Sequence, residues 1–345
     1  MDREVKSMTK TVVRSRTPTR PHHRARWMAT GRALALKLAT ALGTLFVVSL
    51  VVYSLQELLP GDPAIAILGE QATPETIAAV RADLRLDDSF LVRYGAWLGN
   101  ALQFDLGNSY RSGAPVMGTI LDRLPVTFEL MVLAQLIALA LAIPLGTLAA
   151  YRVKTVFDRI TTGGAFAMIS VPEFVLGLLL IYYLTLGLGW FPTTGWIAFS
   201  ESPLENLHHA FLPALTMAIP VAAVYQRLLR TDMTATLQED YITMAQSKGL
   251  GTAHILFKHA LRPSSFSLIT LAGVNTGRLL GGSVIVEVLF VVPGIGQLMI
   301  QSIFLRDFMM LQGTVIFVAT AYIVVNALVD LSYGLIDPRV RHRSA

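Results

Sequence analysis

The chain has 345 residues, of which 53% are hydrophobic and only 15% are charged. Soluble globular domains carry about 25% charged residues, so the composition excludes an ordinary soluble domain and indicates a polytopic membrane protein. There is no cysteine, which excludes a disulfide framework, a thiolate metal site, a cysteine nucleophile and the acceptor of a lipoprotein anchor. The formal net charge of +5 becomes informative only when the charges are placed along the chain.

Residues 1–31 form a basic segment without apolar periodicity. Its Lys and Arg residues are separated by Ser, Thr and Pro: Arg3, Lys6, Lys10, Arg14, Arg16, Arg20, Arg24 and Arg26. This pattern predicts a disordered tail whose positive charge flanks the first membrane helix, with binding of lipid headgroups as the alternative. A cleaved signal peptide is not favoured, because the apolar run that follows is long and lacks an obvious small-residue cleavage site.

Six apolar runs follow the basic tail. A bilayer core needs about 20 helical residues, and these runs are predicted to span it: Leu38–Leu59, Val126–Tyr151, Gly164–Trp190, Phe211–Gln226, Leu268–Val292 and Thr314–Leu335. The fourth run is short, and we expect it to continue as a helix through Met233. The fold class is therefore all-α, a polytopic membrane protein with six transmembrane helices.

The stretch 60–123 separates the first two predicted spans. Pro60-Gly61-Asp62-Pro63 ends the first span, and short amphipathic helices should follow. Thr73-Pro74-Glu75 has the order of an N-cap, a first helical position and a first-turn acid, so it predicts one helix start. The Gly, Asn, Ser and Pro residues near 107–115 predict turns.

Lys and Arg residues lie mainly on one side of the predicted spans. Segments 1–37, 151–160, 227–262 and 336–345 carry 10, 3, 5 and 3 of the chain's 28 basic residues, whereas loop 191–210 has none. The positive-inside rule therefore predicts that both termini are cytoplasmic and that 60–123 is extracytoplasmic.

Four charged side chains lie within the predicted spans or at their edges: Glu129, Glu173, Arg278 and Glu287. Charges are costly in hydrocarbon, and these helices also carry Gly, Pro, Ser or Thr, as expected of a face turned to other helices or to water. A polar translocation pathway is one interpretation, and a structural pair or an interfacial position is the other.

Sequence motifs of soluble enzymes are absent. There is no G-x-x-x-x-G-K-[ST], no H-E-x-x-H and no G-x-S-x-G, so the chain is not expected to be an enzyme or to hold nucleotide phosphates itself. His208 and His209 are adjacent and do not share a helix face, which favours an interfacial structural role over a metal site. His254 and His259 are five residues apart, a poor spacing for shared ligation on an α-helix, and no metal is expected.

A polar stretch, Glu239–Pro263, lies between two apolar runs on the predicted cytoplasmic side. Glu239 and Asp240 suit the start of a helix through Lys248, and Gly249 suits a C′ cap. Thr252 can cap a second helix from Ala253 to about Ala260, which should end before Pro263. Apolar Tyr241, Ala245, Leu250, Ile255 and Phe257 alternate with charges of both signs, which favours docking to a protein over a lipid surface.

Within this stretch, Ala245, Gly249 and Leu261 resemble the cytoplasmic EAA loop of bacterial ABC-importer permeases. Thr243 and Met244 depart from that motif, as does Arg262 where a proline is usual. Further matches occur in order along residues 32–341: LLPGDPA at 58–64, DLGNSYRSGAPV at 105–116, RLPVTFEL at 123–130, VPEFVLGLLL at 171–180, LPALTMA at 212–218, GGSVIVEVLFVVPGIGQL at 281–298, RDFMMLQG at 306–313 and NALVDLSYGLIDPRVR at 326–341. The variant resembles the dipeptide/oligopeptide/nickel branch.

The resemblance implies a type I ABC-importer permease fold over residues 32–341. It implies an extracytoplasmic loop 60–123, a cytoplasmic coupling loop 228–265 and a short C-terminal tail 342–345. The residues expected to contact an ATPase are Glu239, Asp240, Tyr241, Ala245, Lys248, Gly249, Leu250, His259 and Leu261. Transport of peptides across the cytoplasmic membrane of a prokaryote, by alternating access, would follow from this resemblance.

The resemblance also implies the partners. These are a second homologous permease subunit, two ABC ATPase subunits that hold ATP and Mg²⁺, an extracytoplasmic substrate-binding protein and the lipid bilayer; no cofactor on this chain and no nucleic acid are expected. Nickel or another small solute is the alternative cargo. A self-sufficient channel or secondary carrier is the alternative from another class, and an intramembrane enzyme has little support.

Overall fold

A computed structural model describes residues 23–58, 63–68, 72–83 and 85–336. The described residues form helices and loops, with one isolated antiparallel bridge between Asn108 and Pro115. The order is α1 (His23–Leu58), α2 (Pro63–Leu68), α3 (Pro74–Asp83), α4 (Phe90–Ala101), α5 (Val116–Tyr151), α6 (Val156–Ser170), α7 (Glu173–Leu180), a π-helical turn (Ile181–Gly187), α8 (Pro203–Thr236), α9 (Asp240–Ser247), α10 (Thr252–His254), a second π-helical turn (Ile255–Ala260), α11 (Leu261–Leu289), α12 (Ile295–Phe304) and α13 (Phe308–Ile336).

The predicted tails lie largely outside the described residues. Residues 1–22 of the basic tail and the predicted C-terminal tail 342–345 are among those not described. Helix α1 begins at His23, so residues 23–31, which we predicted to be disordered, are helical.

Five helices are long and apolar enough to cross a membrane, and six spans result if the bent pair α6 and α7 counts as one. The all-α polytopic fold is thereby confirmed. The expectation of a continuous third span, Gly164–Trp190, is wrong, because α6 and α7 meet at an angle of 107°. Val171, which precedes Pro172, has a ψ of 125°, the extended backbone that a residue before proline prefers. The fourth span continues as a helix past Met233, as predicted, and runs from Pro203 to Thr236.

The core is built around α5 and α8, which pack along each other. Each helix carries fully buried alanines at intervals of four residues: Ala134, Ala138 and Ala142 on α5, and Ala210, Ala214 and Ala218 on α8. Small residues at this spacing form one face of a helix and let two backbones approach closely. At Gly146, an added Cβ would lie 3.1 Å from the carbonyl oxygen of Gln226, a tight contact that favours glycine at this approach.

A second cluster lies where the loop before α5 meets α1, α12 and α13. Tyr53 on α1 packs on Tyr94 and Trp97 of α4, and the hydroxyl groups of Ser49 and Tyr94 are 2.8 Å apart.

The predicted cap of α3 is confirmed, because the Thr73 hydroxyl accepts a hydrogen bond from the Thr76 N–H at 3.2 Å. The predicted turns near 107–115 are confirmed as well, with positive φ at Gly107 and Gly113.

The turn between Gly107 and Pro115 is fastened to the start of α13 by Asp307. The hydroxyl of Ser109 donates to the buried Asp307 carboxylate, and the N–H of Tyr110 donates to it at 3.3 Å. Burial raises the pKa of Tyr110 to about 12, with further contributions from Tyr53 and Asp307. This turn of the loop between the first two spans is therefore fixed to the start of the last span.

Candidate functional site

Helix α9 forms the first half of the polar stretch, and Gly249 follows its end as the predicted C′ residue. Gly249 has a φ of 75°, its N–H donates to the Gln246 carbonyl at 2.9 Å, and the Leu250 N–H donates to the Ala245 carbonyl at 3.3 Å. These two bonds form a Schellman motif, which satisfies carbonyls at the end of a helix and requires a left-handed residue. The start differs from the prediction, since Glu239 is the N-cap but makes no side-chain capping bond.

The second half of the stretch does not end before Pro263, so that prediction is wrong. The backbone continues from α10 through the π-helical turn into α11, giving one helix from Thr252 to Leu289. Proline has no N–H to give to the carbonyl four residues earlier, which belongs to His259. The hydroxyl of Tyr241 donates to that oxygen at 3.3 Å. Burial and the nearby Glu239 carboxylate raise the pKa of Tyr241 above its usual value.

The apolar residues of this stretch divide into an inner and an outer set. Ile242, Ala245 and Ile255 are buried together against Leu237, so they hold the stretch in place rather than face outward. Tyr241, Met244, Leu250 and Phe257 are exposed. The sequence predicts Ala245 and Ile255 on the docking surface, but the structure buries both and exposes Met244, one of the departures from the motif.

The remaining predicted loop residues surround this outer set. The side chains of Glu239, Asp240 and Lys248 are exposed. His259 is half-buried, and Leu261 is half-buried against the main core. We define seven of the exposed side chains of this region as the loop surface, namely Glu239, Asp240, Tyr241, Met244, Lys248, Leu250 and Phe257.

The stretch lies beside the ends of α5 and α8. The hydroxyls of Thr236 and Ser264 are 3.1 Å apart, and a cleft of about 420 Å³ lies between Tyr151, Leu237 and Leu250. Nearby, Arg230 of α8 forms a two-bond ion pair with Asp158, whose carboxylate also accepts the Lys154 N–H at 2.9 Å. These contacts join α8 to the start of α11 and to the start of α6.

The π-helical turn changes the relation between two histidines. A π-helix bonds residues five apart, so it places positions i and i+5 on one face. His254 and His259 accordingly have ring centroids 5.3 Å apart, although their spacing is poor for contact on an α-helix. No group of three or more His, Asp or Glu residues within the described part of the chain could hold a metal ion.

Glu287 is fully buried at the end of α11, where its carboxyl group caps α12. The Thr127 hydroxyl donates to Oε1 at 2.8 Å, and the Gln297 N–H donates to Oε2 at 3.0 Å. Thr127 also accepts the Ile295 N–H at 2.9 Å. Two side chains from other parts of the fold thus satisfy N–H groups of the first turn of α12, which otherwise lack partners.

This arrangement explains the two glycines in the sequence PGIGQ at 293–297. A Cβ at Gly294 would overlap the Glu287 carboxyl group, and one at Gly296 would lie 2.9 Å from Val284 Cγ2. Both carboxyl oxygens of Glu287 accept hydrogen bonds from other residues of this chain, so neither is left to face a pathway. This favours the structural interpretation of Glu287. Its assignment to a pathway stays a prediction.

Glu173 and Arg278 are brought together in one cleft of about 410 Å³. Glu173 lies at the start of α7, just after the break at Pro172, and Arg278 lies on α11. Asn275 also lines the cleft, and the remaining lining residues are apolar or small, including Val221 and Gly282. No ion pair within 4 Å joins Glu173 to Arg278, both of which lie in the described part of the chain.

Glu129 is separate from this cleft. It is half-buried on α5 beside Asn206, and its Oε1 is buried without a hydrogen-bond partner in the structure as described. Of the four charged residues predicted for a pathway, the structure therefore groups only Glu173 and Arg278. Sequence reasoning missed Asn275, although an amide three residues before Arg278 on an apolar helix was a usable signal.

The adjacent histidines contact the backbone of the preceding loop. His208 Nε2 lies 2.7 Å from the Trp190 carbonyl oxygen, and His209 Nδ1 lies 3.2 Å from that of Gly195. These contacts agree with the structural role predicted for both residues.

Comparison with known proteins gives a consistent result along the chain. Residues 142–342 match the family model of the binding-protein-dependent transport system inner membrane component, and residues 32–131 match the model of its N-terminal region.

The chain is 40% identical over 311 residues to a putative peptide transport system permease protein of Brucella abortus, covering 90% of this chain and 99% of the relative. It is 35% identical to a glutathione transport system permease protein of Escherichia coli, covering 87% and 95%. It is 32% identical to a dipeptide transport system permease protein of Alkalihalophilus pseudofirmus, covering 85% and 94%.

Proposed function

The chain belongs to the family of binding-protein-dependent transport system inner membrane components, and from this premise we propose that it is the permease subunit of an ATP-driven importer of short peptides. The proposed cargo rests on one observation, the names of the relatives. They are named for peptide, dipeptide and glutathione transport, and this chain matches them over nearly their whole length. Glutathione is itself a short peptide, so these names agree on one substrate class.

The loop surface is the proposed contact with an ATPase. It presents Tyr241, Met244 and Phe257 as exposed apolar side chains next to Glu239, Asp240 and Lys248. Exposed apolar groups with a charged rim are typical of a protein interface. The sequence contains no P-loop, so an ATPase partner would supply ATP, Mg²⁺ and hydrolysis.

The attachment of the loop supports transmission of movement. Buried Ile242, Ala245 and Ile255 hold α9 against the turn that leads into α11, and no loop residue separates that turn from α11. A shift of the ATPase would therefore move α11 as a rigid body, which is one of the ways in which a small displacement changes access to a site. We place this surface in the cytoplasm and the region 60–123 outside, as the distribution of Lys and Arg indicates.

The full assembly tests the proposal. The chain, a second permease, two ATPases and the cognate binding protein would be reconstituted in proteoliposomes, and uptake of a labelled dipeptide would be measured with and without ATP. We expect uptake only with all components and ATP. Uptake by this chain alone without ATP would instead support a channel or secondary carrier, and ATP-driven uptake of Ni²⁺ without peptide would support the metal alternative.

Gly249→Val tests the loop assignment. The position is open, with no atom within 4 Å of an added Cβ, but its φ of 75° is unfavourable for a β-branched residue. We expect about tenfold lower uptake, corresponding to about 1–2 kcal/mol of backbone strain in the docked loop, with a normal amount of folded protein.

Gly251→Val is the matched control. Gly251 has equally open surroundings, but its φ is −66°, so a side chain there brings no strain. Equal uptake by the two variants would contradict the importance of the Gly249 conformation for docking.

A further inference from the structure

The cleft at the bend between α6 and α7 is lined by two side chains of opposite charge that make no direct ion pair. Glu173 approaches from α7 and Arg278 from α11, and no ion pair within 4 Å joins these two described residues. Arg278 is exposed and Glu173 is half-buried. An ionisable residue within a membrane span is expected to have a functional role, because its transfer from water is unfavourable.

The polar groups of the cleft are few. Asn275 is a buried residue of the lining, and the other walls are formed by apolar or small residues such as Ile169, Val221 and Leu271. A volume of about 410 Å³ lies within the range of small-molecule sites, which combine apolar walls with a few placed polar groups.

We infer that this cleft binds the free termini of a short peptide, with Glu173 receiving the α-ammonium group and Arg278 receiving the α-carboxylate. A zwitterion supplies one charge of each sign, as the cleft requires, and a guanidinium forms two parallel hydrogen bonds to a carboxylate. The Asn275 amide hydrogen-bonds to Tyr225 and has a further donor or acceptor position that can meet a peptide bond between the termini. The apolar walls would accept varied side chains with little selectivity.

This inference rests on the proposed function and adds a specificity site within the membrane part of the permease. The bend gives it a place in the transport cycle, because Glu173 follows directly on Val171-Pro172, where α6 and α7 meet at 107°. A change in the angle between these helices would move Glu173 relative to Arg278. The cleft could then hold a peptide in one arrangement of the helices and release it in another.

Three versions of one peptide test the assignment in the complete reconstituted importer. The probes are trialanine with free termini, N-acetyl-trialanine and trialanine amide, each at a concentration that saturates the binding protein. The binding protein is the same in all measurements, so the ratio of variant to unmodified importer isolates the contribution of the permease.

Glu173→Gln should lower the maximal uptake rate about tenfold for the two peptides with a free amino terminus and leave the acetylated peptide unchanged. Arg278→Gln should lower it about tenfold for the two peptides with a free carboxylate and leave the amide unchanged. Glu205→Gln and Arg159→Gln remove exposed charges outside the cleft and should change no rate. Size-exclusion profiles of all four variants would confirm that they are folded.

Two results would overturn the inference. Equal losses for all three peptides would assign the two residues to structure or to a subunit contact, and unchanged rates would remove them from the transport path. Failure of the unmodified importer to move any of the three peptides with ATP would be a different result, since it would overturn the proposed function and the inference with it.

Discussion

The junction between α11 and α12 and the cleft at the start of α7 each contain a glutamate in an apolar environment, but they use it differently. At the junction, both carboxyl oxygens of Glu287 accept hydrogen bonds from Thr127 and Gln297, and the side chain is fully buried. At the cleft, Glu173 has an opposite charge nearby without an ion pair to it. The sequence environments of the two residues are alike, so the role of a charged residue in a membrane helix must be assigned from the groups that it contacts.

Glu287→Ala should have the largest effect on stability. It leaves the Gln297 N–H and the Thr127 hydroxyl buried without an acceptor and opens a cavity, which together should lower the free energy of unfolding by about 3–5 kcal/mol. The melting temperature in detergent would measure the loss. Glu205→Ala, at an exposed position on α8, is the control. Equal melting temperatures for the two variants would contradict the capping role of Glu287.

Gly294→Val should cause the second largest loss of stability. The added side chain would overlap the carboxyl group of Glu287, and overpacking of this kind costs about 1–3 kcal/mol. Gly281→Ala on α11 meets no atom within 4 Å and should leave the melting temperature unchanged or slightly raised. A Gly294→Val protein as stable as the unmodified chain would show that Glu287 can move without loss.

Thr127→Val should have a smaller effect. Valine keeps the shape of the side chain but removes the hydroxyl that donates to Glu287 and accepts the Ile295 N–H, a loss of about 1–2 kcal/mol. Thr127→Ser keeps the hydroxyl and should recover most of that loss. Chemical denaturation or thermal melting of both variants in the same detergent would measure the difference in stability. Equal stabilities of the two variants would contradict the capping role of Thr127.

Glu173→Leu should have the smallest effect on stability. The carboxylate makes no ion pair with Arg278, so its removal should leave the melting temperature unchanged or slightly raised. Peptide uptake should nevertheless fall about tenfold if this side chain binds the peptide. A fall in melting temperature as large as that of Glu287→Ala would mean that the two glutamates do not differ in the way proposed.

Hydropathy and charge were sufficient for the coarse fold. The long apolar runs predicted the spans, and Gly249 was identified as a helix cap because a left-handed residue at that position is a local requirement. The break at Val171-Pro172 also had a local signal, but the apolar residues on both sides obscured it.

Other features could not be predicted because distant residues determine them. Pro263 predicts the end of a helix, yet Tyr241 supplies a donor to the His259 carbonyl and the helix continues. The capping of α12 depends on Thr127 and Glu287, which are 160 residues apart in the sequence. The pairing of Glu173 with Arg278 in one cleft likewise requires the packing of α7 against α11.

The π-helical turn Ile255–Ala260 sets the rotational phase between the loop surface and the membrane part of α11. Each residue of an α-helix advances the chain by about 100° around its axis, so one residue more or fewer in this turn would rotate all of α11 by that angle. Asn275, Arg278 and Gly282 would then leave the cleft together, although none of them had been altered. The number of residues in this turn thus fixes the direction in which a distant helix face points.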